Sequence, residues 1–230
     1  MNYKIKRSLS FFFVIALTCR VYASTEYDVY RCVKNDDMKI ALTFDDGPHS
    51  VLTPEILAIL DEFDVKATFF VVGKNIDQSP DVLREIAERG HEIGNHTESH
   101  IDCAKSSYNG TKKELTSVHE KVLKLCDYDI KLFRPPGGSL NKKICKIANE
   151  MDYSVVLWSV DTRDWAHTNV LKITENISEN VKSGSIILFH DYISKNSPTP
   201  DTLRKIIPDL IDKGYTFVTV GELISEYGKV

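Results

Sequence analysis

The chain has 230 residues with a formal net charge of −4, and 42% of the residues are hydrophobic. This length and hydrophobic content allow one well-buried core, and no internal repeat, low-complexity segment or Pro/Gly/Ser-rich linker divides the sequence. No stretch is a basic run, which argues against nucleic acid or anionic lipid as a partner, because binding to either depends on clustered Lys and Arg.

The first 23 residues have the features of a targeting segment. Lys4, Lys6 and Arg7 precede an apolar run over residues 9–19. This run is about half the roughly 20 residues that cross a bilayer. We predict a cleaved signal peptide that ends at Ala23, with an uncleaved N-terminal anchor as the alternative. Cleavage removes four positive charges and no acid, so the net charge falls from −4 to −8. We therefore expect a secreted or cell-wall-associated protein with no other membrane segment.

The remaining chain is predicted to be an N-terminal extension over residues 24–37 and one domain over residues 38–230, which we expect to be monomeric. Export permits disulfides, and four cysteines allow three pairings among which the sequence does not choose. Cys103 lies three residues past His100, and for this cysteine a buried or disulfide-bonded role is favoured over a metal contact. The four are Cys32, Cys103, Cys126 and Cys145.

Apolar, β-branched runs alternate with amphipathic runs along the domain, which predicts βα units around a mainly parallel sheet or barrel. Thr53 and Pro54 open the first helical pattern as capping residue and first-turn proline. Strands are predicted over residues 39–44, 67–72, 92–94, 154–160, 185–189 and 216–218, and helices over residues 53–63, 81–89, 112–125, 142–151, 171–181 and 202–213.

Polar residues follow four of the predicted strands at the point where each strand ends. Asp45 and Asp46 follow the first strand, His96 the third, Asp161 the fourth and His190 the fifth. In βα barrels and open α/β sheets, active sites are built at this rim. Four such placements together indicate a site more strongly than any one of them.

Two short segments predict a metal site. Asp45 and Asp46 can serve one site only if the strand ends there, because consecutive strand residues point to opposite faces. The Gly-Pro that follows supplies that break, although Asp-Gly is also an ordinary turn. His96 and His100 are four residues apart, which on a helical turn places both rings on one face. Two His and one Asp leave a position for water, as in catalytic metal sites, and the second Asp is free for proton transfer.

The later segments carry further candidates, each with a purely structural alternative. Arg134 precedes two prolines and two glycines, and its guanidinium is able to hold a carboxylate in a bidentate pair. An Asp beside His190 favours the protonated, acid-competent imidazole, and Asp161 lies on a neighbouring strand end. Trp165 suits one wall of a sugar groove or a surface-packed aromatic.

Five segments of the chain, in order and with similar spacing, resemble those of the polysaccharide deacetylases, the NodB-homology domain of carbohydrate esterase family four. They are TFDDGP, HTESH, RPPGG, DTRDW and ILFHD. The resemblance runs from about residue 38 to residue 224. It implies an α/β fold, a distorted (β/α) barrel with fewer than eight complete strands, and a divalent metal. Zinc is expected first, with cobalt, nickel or manganese as alternatives.

The resemblance also implies a role for each matching residue. Asp46, His96 and His100 would bind the metal, and Asp45 would be the general base. His190 would be the general acid, Arg134 would orient Asp45, and Asp161 would tune His190. Gly137, Trp165 and Leu188 would contact the substrate. Gly137 stands where many relatives carry an aromatic residue, and the missing ring changes the shape of the groove. Gly137 keeps the backbone N–H that is thought to stabilise the oxyanion.

The expected function is that of an exported N-deacetylase that removes acetyl groups from N-acetylglucosamine in peptidoglycan. A chito-oligosaccharide deacetylase is the close alternative, and a xylan O-acetyl esterase a weaker one. A non-catalytic glycan-binding domain is the alternative from another class, and it predicts the loss of at least one of these residues.

Overall fold

The structure is a computed structural model that describes residues 27–166, 168–192 and 196–228. The predicted signal peptide lies outside the described residues. Within them, no helix combines the length and the apolar character that a membrane span needs.

The described residues form nine strands and eight α-helices that largely alternate along the chain. The strands are β1 (Val29–Tyr30), β2 (Lys39–Asp45), β3 (Thr68–Val71), β4 (Glu92–Asn95), β5 (Leu132–Phe133), β6 (Ser154–Val156), β7 (Val160–Asp161), β8 (Ile186–His190) and β9 (Thr216–Phe217). The helices are α1 (Leu52–Glu62), α2 (Gly73–Gln78), α3 (Pro80–Glu88), α4 (Tyr108–Cys126), α5 (Lys142–Glu150), α6 (Val170–Asn180), α7 (Thr199–Asp212) and α8 (Val220–Tyr227).

The strands form one parallel sheet that curls into a barrel. The order is β1-β6-β5-β4-β3-β2-β8-β7, and β9 also pairs with β2. β6 and β7 are separated by three residues, yet β6 pairs with β5 and β1 whereas β7 pairs with β8. One short stretch of chain therefore connects β6, next to one end of the strand order, with β7 at the other end, as expected for a curled sheet. This confirms the predicted distorted (β/α) barrel.

The core lies between the sheet and its helices. Six of the seven residues of β2 are buried, as expected for a central parallel strand covered on both faces. Helix α1 buries Ile56, Leu57, Ile59 and Leu60, which recur at helical spacing along one side of the helix.

The six predicted helices and six predicted strands are present within a few residues. One predicted strand, over residues 154–160, is two strands because its halves pair at opposite ends of the sheet. The sequence did not predict β1, β5, α2 or α8, and β1 brings part of the expected N-terminal extension into the sheet. Thr53 is not the capping residue of α1, because Val51 precedes the first turn and the Thr53 hydroxyl bonds elsewhere.

Candidate active site

The TFDDGP segment turns sharply where β2 ends. Asp45 is the last residue of β2, and Asp46 has φ = 77°, a left-handed conformation that directs its side chain away from the strand alternation. Asn75 Nδ2 donates to the Asp46 carbonyl at 2.6 Å, and the Val72 N–H donates to the Gly47 carbonyl at 2.8 Å. These bonds hold both carboxylates at the rim of the barrel, as the sequence predicts.

His96 and His100 come together through a loop and not through the helical turn that their spacing predicted. β4 ends at Asn95, and the residues from His96 to His100 form no helix. Thr97 and His100 have φ of 70° and 53°, and Asn95 Oδ1 accepts the Thr97 N–H at 2.9 Å. The loop leaves the two rings 5.1 Å apart between centroids.

Asp46, His96 and His100 form a cluster that fits a metal ion. One ligand atom from each residue lies within 4.8 Å of the other two. The Asp46 Oδ1 atom is 3.1 Å from His100 Nε2 and 3.4 Å from His96 Nε2. This oxygen is buried and makes no hydrogen bond within the described chain. The His96 Nδ1 atom lies 2.7 Å from the Arg134 carbonyl, which fixes the ring with Nε2 toward the cluster.

The electrostatics of the cluster keep Asp46 ionised. Burial raises the pKa of Asp46, but the imidazoles of His100 and His96 outweigh this and hold the pKa well below its usual range. The nearby Asp46 carboxylate raises the pKa of the half-exposed His100, against a smaller effect of burial. A negative oxygen facing two imidazole nitrogens is a donor set that suits zinc.

Arg134 holds Asp45 from below the rim. Its Nη1 atom donates to Asp45 Oδ1 at 2.7 Å and to Thr43 Oγ1 at 2.8 Å. The side chain is fully buried, and its guanidinium lies 4.1 Å from the centre of the Phe70 ring. Burial lowers the pKa of Arg134, while the charge of Asp45 opposes that change. The other carboxylate oxygen, Oδ2, lies 3.7 Å from His96 Nε2, next to the cluster of Asp46, His96 and His100.

Asp164, and not Asp161, is the carboxylate that contacts His190. Asp164 Oδ1 lies 2.8 Å from His190 Nδ1, and Asp164 Oδ2 accepts the His190 backbone N–H at 2.8 Å. Asp161 Oδ1 instead accepts the Arg163 N–H at 2.9 Å. Arg163 has φ = 58°, and the turn that it makes after β7 carries the chain back to His190. The predicted tuning role of Asp161 is therefore wrong.

Asp164 controls the protonation of His190. Burial lowers the pKa of His190, but the hydrogen bond and charge of Asp164, with smaller contributions from Asp45 and Asp46, raise it from 6.5 to about 9. Asp164 is itself buried and accepts the Thr199 hydroxyl at 2.7 Å, which fixes its orientation. His190 thus carries a proton at neutral pH, as a general acid must.

Nine of the ten predicted site residues line one cleft of about 330 Å³, and Arg134 lies beneath it. Leu188 is buried in its wall, and Trp165 stands half exposed at its edge. A side chain at Gly137 would meet no atom within 4 Å, so the cleft is open on that side. The nine residues are Asp45, Asp46, His96, His100, Gly137, Asp161, Trp165, Leu188 and His190.

The sequence reasoning missed two residues of the site. Asp164 was overlooked because it does not directly follow a strand, although its place beside Trp165 was a usable signal. Trp158 also lines the cleft, from the short stretch between β6 and β7. Cys103 does not line the cleft, and burial raises the pKa of its thiol to about 12. Cys103 and Cys126 are free cysteines.

The sequence of the chain is similar to those of known proteins. The polysaccharide deacetylase model matches residues 33–156. A peptidoglycan-N-acetylglucosamine deacetylase of Bacillus cereus is 40% identical over 194 residues, which cover 84% of this chain and 91% of the relative. A chitooligosaccharide deacetylase of Sinorhizobium fredii is 32% identical over 76% of this chain and 87% of its own length.

The solved structures agree. The crystal structure of the Bc1960 peptidoglycan N-acetylglucosamine deacetylase has a TM-score of 0.83 at 37% identity, over 86% of this chain and 94% of the other. The fold and site define a hydrolase that acts on amide bonds of N-acetylated glycans. The chain belongs to the polysaccharide deacetylase family.

Proposed function

We propose that this protein is an exported, metal-dependent N-deacetylase that hydrolyses the acetamido groups of N-acetylglucosamine in peptidoglycan. The observation that carries the proposal is the joint placement of the three-residue cluster, the Arg134–Asp45 pair and the Asp164–His190 pair around one cleft. The Bacillus cereus relative supports the choice of polymer.

Asp46, His96 and His100 would hold the metal, and zinc is the first expectation. A divalent metal at this position supplies Lewis acidity and lowers the pKa of a coordinated water. The orphaned Oδ1 atom of Asp46 is the structural reason to expect it. Chelation should abolish acetate release and readdition of zinc should restore it, and activity that survives full chelation would refute metal dependence.

The proton transfers divide between two residues on neighbouring strands. Asp45 pairs with His190 in the register of β2 and β8, so the two side chains flank the same point of the rim. Asp45 takes the proton from the attacking water, whose oxygen forms a bond to the acetyl carbon. The C–N bond then breaks, and His190 donates its proton to the departing amine while acetate is released. Arg134 holds the Asp45 carboxylate in position through its hydrogen bond to Oδ1, and Asp164 keeps His190 protonated.

The substrate is tested by incubating the zinc-loaded protein with peptidoglycan, chitopentaose and acetylxylan, and measuring released acetate. Release from peptidoglycan well above that from chitopentaose is the expected result. The reverse order would favour the chito-oligosaccharide alternative, which the Sinorhizobium relative supports. Release from acetylxylan alone would refute N-deacetylation.

Export rests on the three basic residues and the apolar run near the N-terminus. A C-terminally tagged chain should appear outside the cytoplasm, and N-terminal sequencing of that product should begin near Ser24. Product that begins at residue 1 would favour the uncleaved anchor. The monomeric state that we also propose is checked by light scattering of the exported protein.

A further inference from the structure

A buried carboxylate that the proposed reaction does not use lies directly behind the TFDDGP turn. Asp191 follows His190 and is 1% exposed. Its Oδ2 atom accepts the hydroxyl of Thr53 at 2.6 Å, and Thr53 is fully buried in the first turn of α1. The Oδ1 atom is buried without a hydrogen bond in the described part of the chain.

This carboxylate packs against the backbone that carries the base and the first metal ligand. A Cβ atom at Gly47 would lie 2.0 Å from Asp191 Oδ2 and 2.5 Å from Oδ1, so only glycine fits beside it. The backbone N–H of Asp191 donates to the Asp45 carbonyl at 3.1 Å. The Thr53 hydroxyl also accepts the His49 N–H at 2.8 Å, which ties down the far end of the turn.

The segment from Asp45 to Gly47 is thus held from two sides. Asn75 and the Val72 N–H bind its carbonyls on one side, and the Asp191–Thr53 pair supports it on the other. Asp46 needs this support because its φ of 77° is unfavourable for a residue with a side chain. Without it, the turn can relax and move the Asp46 carboxylate away from the two imidazoles.

We propose that Asp191 and Thr53 are positioning residues that hold Asp46 in its metal-binding conformation. This inference rests on the metal site of the proposed function. Groups that orient metal ligands contribute about 10–100-fold to metal affinity in other proteins. The same is expected of this pair, although neither side chain belongs to the ligand cluster.

The test measures zinc affinity of the metal-free full chain by competition with a fluorescent zinc chelator. Thr53→Val removes the hydroxyl while keeping the shape, and should raise the Kd for zinc about tenfold or more. Thr53→Ser keeps the hydroxyl and should stay within about threefold of wild type. Gly47→Ala perturbs the same contact from the other side and should also raise the Kd about tenfold.

The chain offers a matched control in Thr68, whose buried hydroxyl donates to Glu92 Oε2 at 2.7 Å near the start of β4. Thr68→Val should lower the melting temperature of the metal-free protein, yet leave the Kd for zinc within about twofold. Thr53→Val and Gly47→Ala with unchanged zinc affinity in folded protein would overturn the positioning role alone. Wild-type protein that binds no zinc would overturn the proposed metal site as well.

Discussion

Replacing Asp164 with Asn tests which carboxylate controls the protonation of His190, the proposed general acid. Asn keeps the size of the side chain but removes the charge that raises the pKa of His190 to about 9. Burial, which lowers that pKa, then opposes the smaller effects of Asp45 and Asp46. The pKa of His190 should therefore fall toward its ordinary value of about 6.5.

The size of the effect depends on pH in a way that can be calculated. The acid works only when protonated, so the rate falls as pH rises through the pKa of His190. At pH 8, a pKa of about 9 leaves about 90% of His190 protonated, and a pKa of about 6.5 leaves about 3%. The Asp164→Asn variant should therefore lose about 30-fold in kcat/KM at pH 8 relative to wild type, but less than about twofold from protonation at pH 6.

The assay is acetate release from peptidoglycan as a function of pH, with two controls. Asp161→Asn should keep the wild-type profile, because Asp161 makes no hydrogen bond to His190. Cleavage of an activated acetyl ester, whose leaving group needs no proton, should be much less affected by Asp164→Asn. A profile that moves in Asp161→Asn and stays in Asp164→Asn would refute the assignment.

Three further results are expected. Asp45→Asn should lower turnover at least about 100-fold with unchanged metal content by elemental analysis, and unchanged turnover would exclude it as the base. Arg134→Met leaves Asp45 buried without its cation, so it should cost about 3–5 kcal/mol in urea unfolding. Arg204→Met, at an exposed pair with Glu62, should cost less than about 1 kcal/mol, and equal losses would contradict this reasoning. Burial and the charge of Lys66 lower the pKa of His91 from 6.5 to about 4. His91 is neutral in both the folded and the unfolded protein above pH 6.5. The free energy of unfolding should therefore fall by about 3 kcal/mol as pH falls from 6.5 toward 4, because the unfolded chain takes up the proton first. The His91→Gln variant should lack this loss.

Strand position explains why so much of the site could be predicted from the sequence. β2 and β8 are apolar, five or more residues long, and end at Asp45 and His190. Parallel strands carry their C-terminal ends to one rim, so reading those ends was enough to place these two residues together. β1 and β5 are only two residues long and have no periodic signal, which is why they were missed.

Two of the wrong predictions, both in the site, share one physical cause, which is backbone with positive φ. Spacing indicated a helical turn for His96 and His100, but Thr97 and His100 adopt left-handed conformations and form a loop. Asp161 was chosen because it ends a strand, yet the positive φ of Arg163 turns the chain and brings Asp164 to His190. Residues other than glycine rarely adopt positive φ, so secondary-structure propensity does not predict where it occurs.

The closure of the barrel explains why Arg134 is buried so completely. It directly follows β5 and donates through Nε to the Val156 carbonyl and through Nη2 to the Leu157 carbonyl, at 3.3 and 3.1 Å. Both carbonyls lie where the chain leaves β6 and crosses to β7. The same guanidinium binds Asp45 on β2, so one side chain links three parts of the barrel. The same crossing carries Trp158 into the cleft and leads on to Asp164, which contacts His190. The segment between β6 and β7 therefore contributes both to the packing of the barrel and to the proposed proton-transfer residues. Substitution of Arg134 should therefore lower stability and activity together.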